Sequence, residues 1–216
     1  MNRNLSAADY DNWYATARGA WMGNREAETL IRLGEIGPDR RVLDVGCGSG
    51  WFTRRFAATG ASVTGLDNDA AMLDYARAQD ASIPYISGDM LALPFPDKSF
   101  DVITAVTSLC FVPDERCALA EIARVARRRI VLGLLHRDSL LYLRKHGRGA
   151  YAGARWHTRT DVATLVAALP GARHWKIETL LFWPGGPQPG RALECLPGLK
   201  RFGGFMAVGI ELSTSG

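Results

Sequence analysis

The sequence lacks paired cysteines, long apolar runs and a marked excess of one charge. No Cys-x-x-Cys pair occurs among Cys47, Cys110, Cys117 and Cys195, which argues against a zinc knuckle or a disulfide framework. No apolar run is long enough to span a bilayer, and residues 1–5 show no secretory signal. The formal net charge of +4 barely favours a nucleic-acid partner. We therefore expect a cytoplasmic protein with no metal and no membrane insertion.

The 216 residues are 47% hydrophobic, which suffices for the core of one domain. The apolar pattern predicts strands over 41–45, 61–66, 83–86, 100–106 and 129–135, with helices over 51–59, 69–79 and 114–127 between them. Two helices come first, one opened by a capping box at Ser6 and one over about 24–35. Residues 138–146 and 160–169 are predicted helices, 174–183 and 205–212 predicted strands, and 184–198 a Pro/Gly-rich segment. This alternation indicates an α/β fold with a parallel sheet covered on both faces.

The most informative feature is the glycine-rich run after the first predicted strand. That strand leads into Gly46-Cys47-Gly48-Ser49-Gly50, and a helix opens at Trp51. Such a turn lets main chain approach a ligand closely, with helix N–H groups directed at it. It predicts a nucleoside-bearing cofactor. A dinucleotide fingerprint would need its third glycine at the position of Trp51, so the spacing disfavours a nicotinamide-dependent oxidoreductase.

Acidic residues follow the next two predicted strands. Asp67 lies about twenty residues beyond Gly46, where an acid can accept hydrogen bonds from both hydroxyls of a ribose. Gly88-Asp89-Met90 follows the third strand, and the stretch LPFPDKSFD at 93–101 leads into the fourth. Together with the glycine run, these motifs resemble the class I S-adenosylmethionine-dependent methyltransferases. The chain is most similar to the small stand-alone "methyltransferase type 11" subgroup, which includes quinone-biosynthesis C-methyltransferases.

The resemblance implies a Rossmann-like fold. Its seven-stranded, mostly parallel sheet would carry helices on both faces and an antiparallel last strand, residues 205–212, inserted beside the fifth. We expect a single methyltransferase domain over 1–216. Residues 1–38 would form an N-terminal helical cap, 39–135 the cofactor-binding half and 136–216 the acceptor-side half.

The cofactor implied by the resemblance is S-adenosyl-L-methionine, with S-adenosyl-L-homocysteine as its product. The residues expected to bind it are Tyr10, Tyr14, Gly46, Cys47, Gly48, Asp67, Asn68, Met72, Gly88, Asp89, Met90, Val106 and Thr107. Several of these have simpler interpretations: Asp67 as a solvated carboxylate, Met72 as core filling, Asp89 as a turn residue, and the two tyrosines as helix packing. Asp44, buried within the first strand, is expected to hold backbone amides of the glycine loop.

Acceptor-side residues are expected where the fourth and fifth strands end. Cys110 and Phe111 are the substrate-side candidates. His136 is the best candidate for a catalytic base, because imidazole titrates near neutral pH and the carboxyl ends of parallel strands face the site. The alternative is a loop histidine that solvates the strand end. His157 is a weaker second candidate.

The expected activity is methylation of a small-molecule acceptor by a monomer or homodimer. Ala105-Val106-Thr107-Ser108 replaces the (Asn/Asp/Ser)-Pro-Pro-aromatic motif typical of nucleobase-amine methyltransferases, so a nucleic-acid substrate is not expected. Two alternatives stay open. One is an RNA methyltransferase that uses the basic stretch 144–159, with Tyr142, Tyr151 and Trp156 interleaved. The other is a non-catalytic cofactor-binding protein that partners another chain.

Overall fold

The computed structural model describes residues 6–183, 188, 192, 196 and 198–213, and seven strands of this part form one sheet in the order β3-β2-β1-β4-β5-β7-β6. The strands are β1 (Arg41–Val45), β2 (Ser62–Asp67), β3 (Tyr85–Ser87), β4 (Phe100–Val106), β5 (Ala126–Leu135), β6 (Ala172–Leu180) and β7 (Phe205–Leu212). The α-helices that are described along their whole length are α1 (Ala7–Ala15), α2 (Ala17–Gly34), α3 (Trp51–Ala57), α4 (Ala70–Gln79), α5 (Glu115–Val125), α6 (Leu140–Lys145) and α7 (Arg159–Ala167).

The first five strands are parallel, and β7 pairs antiparallel with β5 on one side and β6 on the other. The predicted fold class, including an antiparallel last strand beside the fifth, is confirmed. Because β1, β2 and β4 run in the same direction, Val45, Asp67 and Val106 end at the same edge of the sheet. Ligands of such folds bind at this carboxyl edge.

Helices cover both faces of the sheet, each over its own hydrophobic cluster. On one face, Leu119 and Ile122 of α5 and Val162 of α7 pack in a cluster with Ile103 and Ile130. On the opposite face, side chains of α1, α2 and α3 pack over β1, β4, β5 and β7. This two-sided burial is clearest in β4, where every residue is buried, including the polar Asp101 and Thr104.

Helix α2 begins two turns before the predicted start near residue 24, and that boundary was wrong. The early turns contain Gly19 and Gly23, where α1 approaches closely. A Cβ added at Gly19 would lie 2.0 Å from the Trp13 carbonyl oxygen, and one at Gly23 would lie 2.7 Å from the Tyr14 ring. The glycines therefore serve interhelical packing rather than helix termination. The predicted Pro/Gly-rich segment 184–198 falls largely outside the described residues.

Candidate functional site

The glycine loop between β1 and α3 combines three left-handed residues with different surroundings. Gly46, Gly48 and Gly50 have φ angles of 70°, 53° and 75°. A Cβ at Gly46 would lie 2.4 Å from Cβ of Ser108, and one at Gly50 would lie 2.5 Å from the Tyr85 hydroxyl, whereas one at Gly48 meets nothing within 4 Å. The outer two glycines are thus required by packing. Gly48 is the one that leaves open space beside the main chain.

Asp67 is tied directly to this loop. Its Oδ2 accepts a hydrogen bond from the Gly48 amide at 2.8 Å, and its Oδ1 accepts from the Asp69 amide at 3.0 Å. The amides of Gly46 and Cys47 donate to the Leu66 carbonyl at 2.7 and 3.0 Å. A carboxylate has about four lone-pair sites, so Asp67 can accept further hydrogen bonds. The loop and the acid predicted to hold a nucleoside therefore lie together.

The segment after β3 adjoins the same acid. The Gly88 amide donates to the Asp67 carbonyl at 3.0 Å. Met90 reaches back to the glycine loop, since its Cε would lie 3.1 Å from a Cβ at Gly46. Asp89 is exposed, and its Oδ1 accepts from the Leu91 amide at 2.9 Å, so it does act as a turn residue. Its contact with a cofactor stays a prediction.

Two further candidates follow β2. Asn68 is exposed, while Met72 is only 4% exposed in the first turn of α4. The side chain of Asp69 caps this helix by accepting from the amides of Ala71 and Met72 at 3.0 and 3.2 Å. Burial is compatible both with core filling by Met72 and with a thioether that would line an adenine site.

The turn after β4 is strained and lies against the glycine loop. Thr107 has a φ of 49°, an uncommon conformation that for a β-branched residue costs about 1–3 kcal/mol. Three hydrogen bonds hold the turn. The Thr107 amide donates to the Gly133 carbonyl at 2.8 Å, and Ser108 Oγ donates to the Val45 carbonyl at 2.9 Å. Cys110 Sγ donates to the Thr107 carbonyl at 3.0 Å. Strain that the surroundings enforce in this way is typical of functional sites.

Asp44 does not hold backbone amides of the glycine loop, as the sequence predicted, but binds two threonine side chains. It is 1% exposed, its Oδ2 accepts from Thr53 Oγ1 at 2.7 Å, and its Oδ1 accepts from Thr104 Oγ1 at 2.8 Å. Burial raises the pKa of Asp44 to about 6, although both threonine hydroxyls act in the opposite direction. The prediction was wrong because the nearest donors to a mid-strand side chain are on α3 and β4. Asp44 connects these elements beneath the loop.

Helix α1 is hydrogen-bonded to the glycine loop and α3 through a residue that the sequence offered no reason to single out. Asp11 accepts from Ser49 Oγ at 3.0 Å and from Arg54 Nη2 at 2.9 and 3.1 Å. Arg54 Nη1 also donates to the Ser49 carbonyl at 2.8 Å. No local motif marks this contact, since its members are far apart in the chain. It closes the N-terminal segment over the loop.

The two predicted tyrosines of α1 have different surroundings. Tyr14 is 6% exposed and stacks on Trp51, with ring centroids 3.9 Å apart and planes 20° apart. Tyr10 is half-buried, its hydroxyl lies 3.4 Å from that of Tyr14, and the Thr107 side chain acts to lower its pKa, against the larger effect of burial. Tyr14 therefore serves helix packing, while Tyr10 lies over the strained turn after β4.

On the acceptor side, the structure brings Cys110 and Phe111 to the turn after β4. Cys110 is 2% exposed, and burial raises the pKa of its thiol to about 12, so the thiol is neutral. Phe111 and Thr107 are half-buried, and Val106 is 8% exposed. A neutral buried thiol has little nucleophilic character, so this wall of the site is chemically inert.

His136 is 1% exposed, and its Nδ1 lies 2.8 Å from the Gly203 carbonyl oxygen, to which it donates. Burial lowers the pKa of His136, so its ring is neutral near neutral pH. Its Nε2 is buried and has no hydrogen-bond partner among the described residues. The base role of His136 stays a prediction, and in this structure Nε2 is covered by protein. The second candidate, His157, pairs through Nε2 with Glu115 Oε2 at 2.8 Å.

The aromatic residues of the basic stretch pack on one another. Trp156 is 7% exposed, and its ring centroid lies 5.3 Å from that of Tyr142 and 5.5 Å from that of Tyr151. Arg155 pairs with Glu115 at 3.1 Å. Nucleic-acid-binding platforms present aromatic faces to solvent for base stacking. This inward packing disfavours the RNA alternative.

Within 6–183, 188, 192, 196 and 198–213, no three His, Cys, Asp or Glu side chains are placed to hold a metal ion. None of the helices in this part of the chain combines the length and the apolar character needed to cross a membrane. The cysteines described there, Cys47, Cys110 and Cys117, are free thiols.

Residues 43–132 match the family model of a methyltransferase domain, which confirms the resemblance stated above. Over 100 residues, the chain is 38% identical to a malonyl-acyl-carrier-protein O-methyltransferase of Serratia marcescens, covering 46% of this chain and 39% of the relative. It is 42% identical over 100 residues to a demethylmenaquinone methyltransferase of Mycobacterium sp. strain KMS, covering 46% of this chain and 42% of the relative. The chain thus matches less than half the length of these relatives.

Solved structures share the fold over nearly the whole chain. An S-adenosylmethionine-dependent methyltransferase of Thermotoga maritima, described as a possible histamine N-methyltransferase, aligns with a TM-score of 0.70 at 23% identity over 94% of both chains. The magnesium protoporphyrin IX methyltransferase of Synechocystis, solved with bound S-adenosylhomocysteine, aligns with a TM-score of 0.61 at 18% identity, covering 88% of this chain and 81% of that chain. At these identities the likeness shows the fold alone.

Proposed function

We propose that this protein is an S-adenosylmethionine-dependent methyltransferase that acts on a small-molecule acceptor. The observation that carries the proposal is the hydrogen bond from the Gly48 amide to Asp67 Oδ2 at 2.8 Å, with open space beside Gly48. It joins the glycine loop and the ribose-binding candidate into one cradle at the carboxyl edge of the sheet. The methyltransferase-domain match over residues 43–132 and the methyltransferase fold of the solved structures support the same function.

The residues present fit this cofactor. Asp67 has acceptor capacity left for the ribose hydroxyls, and Asp89 is exposed beside it for the amine of an adenine. Met72 and Met90 would line the adenine, and the main chain of Gly46, Cys47 and Gly48 would contact the amino-acid portion. Tyr10, Val106 and Thr107 would border the sulfur. When bound, the cofactor would supply a methyl group attached to a positively charged sulfur. Once the methyl group is transferred, the sulfur would remain as a neutral thioether.

Because the methyl group is already activated, the chain mainly has to align the acceptor with it. Alignment of reactants can contribute several kcal/mol, up to about 10 in favourable cases. In this proposal Asp67 and the glycine loop fix the donor, while the strained Thr107 turn and Tyr10 exclude water from the reacting side. A general base is needed only for an acceptor that holds its proton at neutral pH.

The other functions are less well supported. A nicotinamide-dependent oxidoreductase would need a third glycine where Trp51 stands. A non-catalytic cofactor-binding protein would need the cradle of Gly48 and Asp67 as well, but it has no need for the strained Thr107 turn on the reacting side. The free thiols of the three cysteines that the structure describes also agree with the reducing, cytoplasmic setting that we include in the proposal.

Isothermal titration calorimetry with the purified chain tests the donor assignment. We expect S-adenosylhomocysteine to bind with one-to-one stoichiometry and NADH to give no heat of binding. Titration with mixed tRNA at low and high salt provides the control for the RNA alternative, for which binding would fall steeply as salt increases. Binding of NADH, or binding of tRNA without S-adenosylhomocysteine, would contradict the proposal.

A further inference from the structure

Glu26 of α2 lies over the carboxyl edge of the sheet, next to the site. The C-terminal end of α2 contacts the middle of β5, since a Cβ at Gly34 would lie 2.9 Å from Cγ2 of Val131. Glu26 precedes Gly34 by just over two turns, a rise of about 12 Å. From Val131 to the end of β5 at Leu135 a strand advances about 13 Å. The cluster that contains α2 also includes Val106 and Phe205, which lie at that edge.

The side chain of Glu26 is largely buried, and its carboxyl group meets no hydrogen-bond donor and no cation among the described residues. Glu26 is 9% exposed, and its carboxylate oxygens keep a small contact with solvent. An ionised carboxylate removed from water is costly unless a charge or hydrogen-bond donor compensates it. Buried groups of this kind are normally paired in folded proteins. The missing partner therefore points to a ligand.

The charge of Glu26 acts on three tyrosines from two other segments. Burial is the main cause that raises the pKa of Tyr10, Tyr14 and Tyr151, and the negative charge of Glu26 adds to it in each case. The Thr107 side chain acts on the pKa of Tyr10, which connects this group to the strained turn after β4. Tyr10 and Tyr151 are half-buried, so part of each side chain stays accessible to a ligand.

Cationic side chains near this group do not neutralise Glu26. Arg18 acts on Tyr151 and Arg155 acts on Cys110, lowering the pKa of each. Burial is the cause that raises the pKa of Glu26 to about 8, without compensation from either arginine. The charged and titratable groups near this group of residues are thus Glu26, Tyr10, Tyr14, Tyr151 and Cys110, together with Arg18 and Arg155.

We propose that Glu26 binds the acceptor and that this acceptor carries a basic amine. The inference rests on the proposed function and specifies its substrate class. An ammonium group supplies both the positive charge and the hydrogen-bond donors that the buried carboxylate lacks. Tyrosine rings add cation–π attraction to the same group. Above the pKa of Glu26, about 8, an acceptor that presents a carboxylate would be repelled by the ionised Glu26, so the site then disfavours acids of the size and shape of an accepted amine.

Glu26 also supplies the proton acceptor that amine methylation needs. An ammonium nitrogen has no free electron pair, so its proton must leave before it attacks. In the proposed step the proton passes from nitrogen to Glu26 Oε, and the nitrogen pair forms a bond to the methyl carbon. The carbon–sulfur bond breaks, and its electron pair stays on the sulfur. A carboxylate with a pKa near 8 is closely matched to an amine for this transfer.

Calorimetry with the S-adenosylhomocysteine-loaded chain tests the inference. The probes are benzylamine, benzyl alcohol and benzoate, together with longer homologues of the same three classes. We expect at least one amine to bind, with its alcohol and acid counterparts weaker by about tenfold or more. Glu26→Gln should weaken amine binding by about 30-fold, as loss of a charge-assisted hydrogen bond predicts. Glu28→Gln on the exposed face of the same helix is the matched control and should leave it unchanged.

Separate measurements distinguish the possible failures. S-adenosylhomocysteine affinity and thermal unfolding of both variants are measured first, and wild-type values are expected for the affinity. If the wild-type chain does not bind S-adenosylhomocysteine, the proposed function itself fails. If the chain binds it but no amine of the panel binds, or if acids bind as well as amines, the inference is overturned. Unchanged amine affinity in Glu26→Gln, or an equal loss of S-adenosylhomocysteine binding in that variant, overturns it too.

Discussion

The donor side and the acceptor side of this site are built in different ways. The donor side consists of backbone turns at the ends of β1, β2 and β3, and its polar groups, such as the Gly48 amide and Asp67, are paired with each other. The acceptor side consists of side chains from separate segments, and its buried carboxylate, Glu26, has no partner in the described part of the chain. A site whose polar groups are hydrogen-bonded to each other keeps its geometry without a ligand. A site with an unpaired carboxylate favours ligands that supply a positive charge or a hydrogen-bond donor.

The largest expected effect concerns the acceptor side and its pH dependence. Burial raises the pKa of Glu26 from 4.5 to about 8, so between these values the folded chain binds more protons than the unfolded chain. The free energy of unfolding should therefore fall as pH rises from about 4.5 to 8, by on the order of 3 kcal/mol or more. Urea unfolding across this range should show the fall in wild type and in Glu28→Gln, and a flatter profile in Glu26→Gln. Parallel profiles for all three would mean that Glu26 is not desolvated.

On the donor side, the Gly48→Val substitution should have the strongest effect on binding. It places a branched side chain in the open space beside the loop and forces it into the left-handed region. We expect S-adenosylhomocysteine affinity to fall by about a hundredfold or more by calorimetry. Gly171→Val is the matched control, because Gly171 has a φ of 76° in the turn before β6, at the opposite edge of the sheet. If the two variants lose affinity equally, backbone strain rather than blocked space explains the loss.

Asp67→Ala should lower S-adenosylhomocysteine affinity by at least about tenfold. The variant removes the acceptor for two ribose hydroxyls and also the anchor of the Gly48 amide. Asp74→Ala, an exposed carboxylate on α4, is the control and should bind like wild type. Wild-type affinity in Asp67→Ala would refute the ribose assignment.

The smallest effect is expected for Asp11→Ala, which releases α1 from the glycine loop. The Asp11 and Arg54 side chains are 16% and 19% exposed, so their ion pair is partly screened and contributes about 1 kcal/mol. We expect S-adenosylhomocysteine to dissociate several-fold faster in stopped-flow tryptophan fluorescence, with the association rate nearly unchanged. A change confined to the association rate would argue that α1 does not cover the bound cofactor.

The difference between a donor side built from local turns and an acceptor side built from distant segments also explains what could be predicted from the sequence. The strands and the donor-side turns follow local patterns, so Gly46, Gly48 and Asp67 could be singled out by their spacing. The place of β7 beside β5 was implied only by the family resemblance. Asp44 was misassigned because its partners, Thr53 and Thr104, are known only once β4 and α3 pack around it. Glu26 was missed because a glutamate in an amphipathic helix gives no sign that its face is buried. Contacts between distant segments leave no periodic signal.

A crystal structure of the chain with S-adenosylhomocysteine is the sharpest test of the proposed donor site. We expect both ribose hydroxyls within hydrogen-bond distance of the Asp67 carboxylate, and the sulfur facing Thr107 and the tyrosines near Glu26. A ligand bound elsewhere, or an Asp67 carboxylate turned away from the ribose in a fully occupied site, would contradict it.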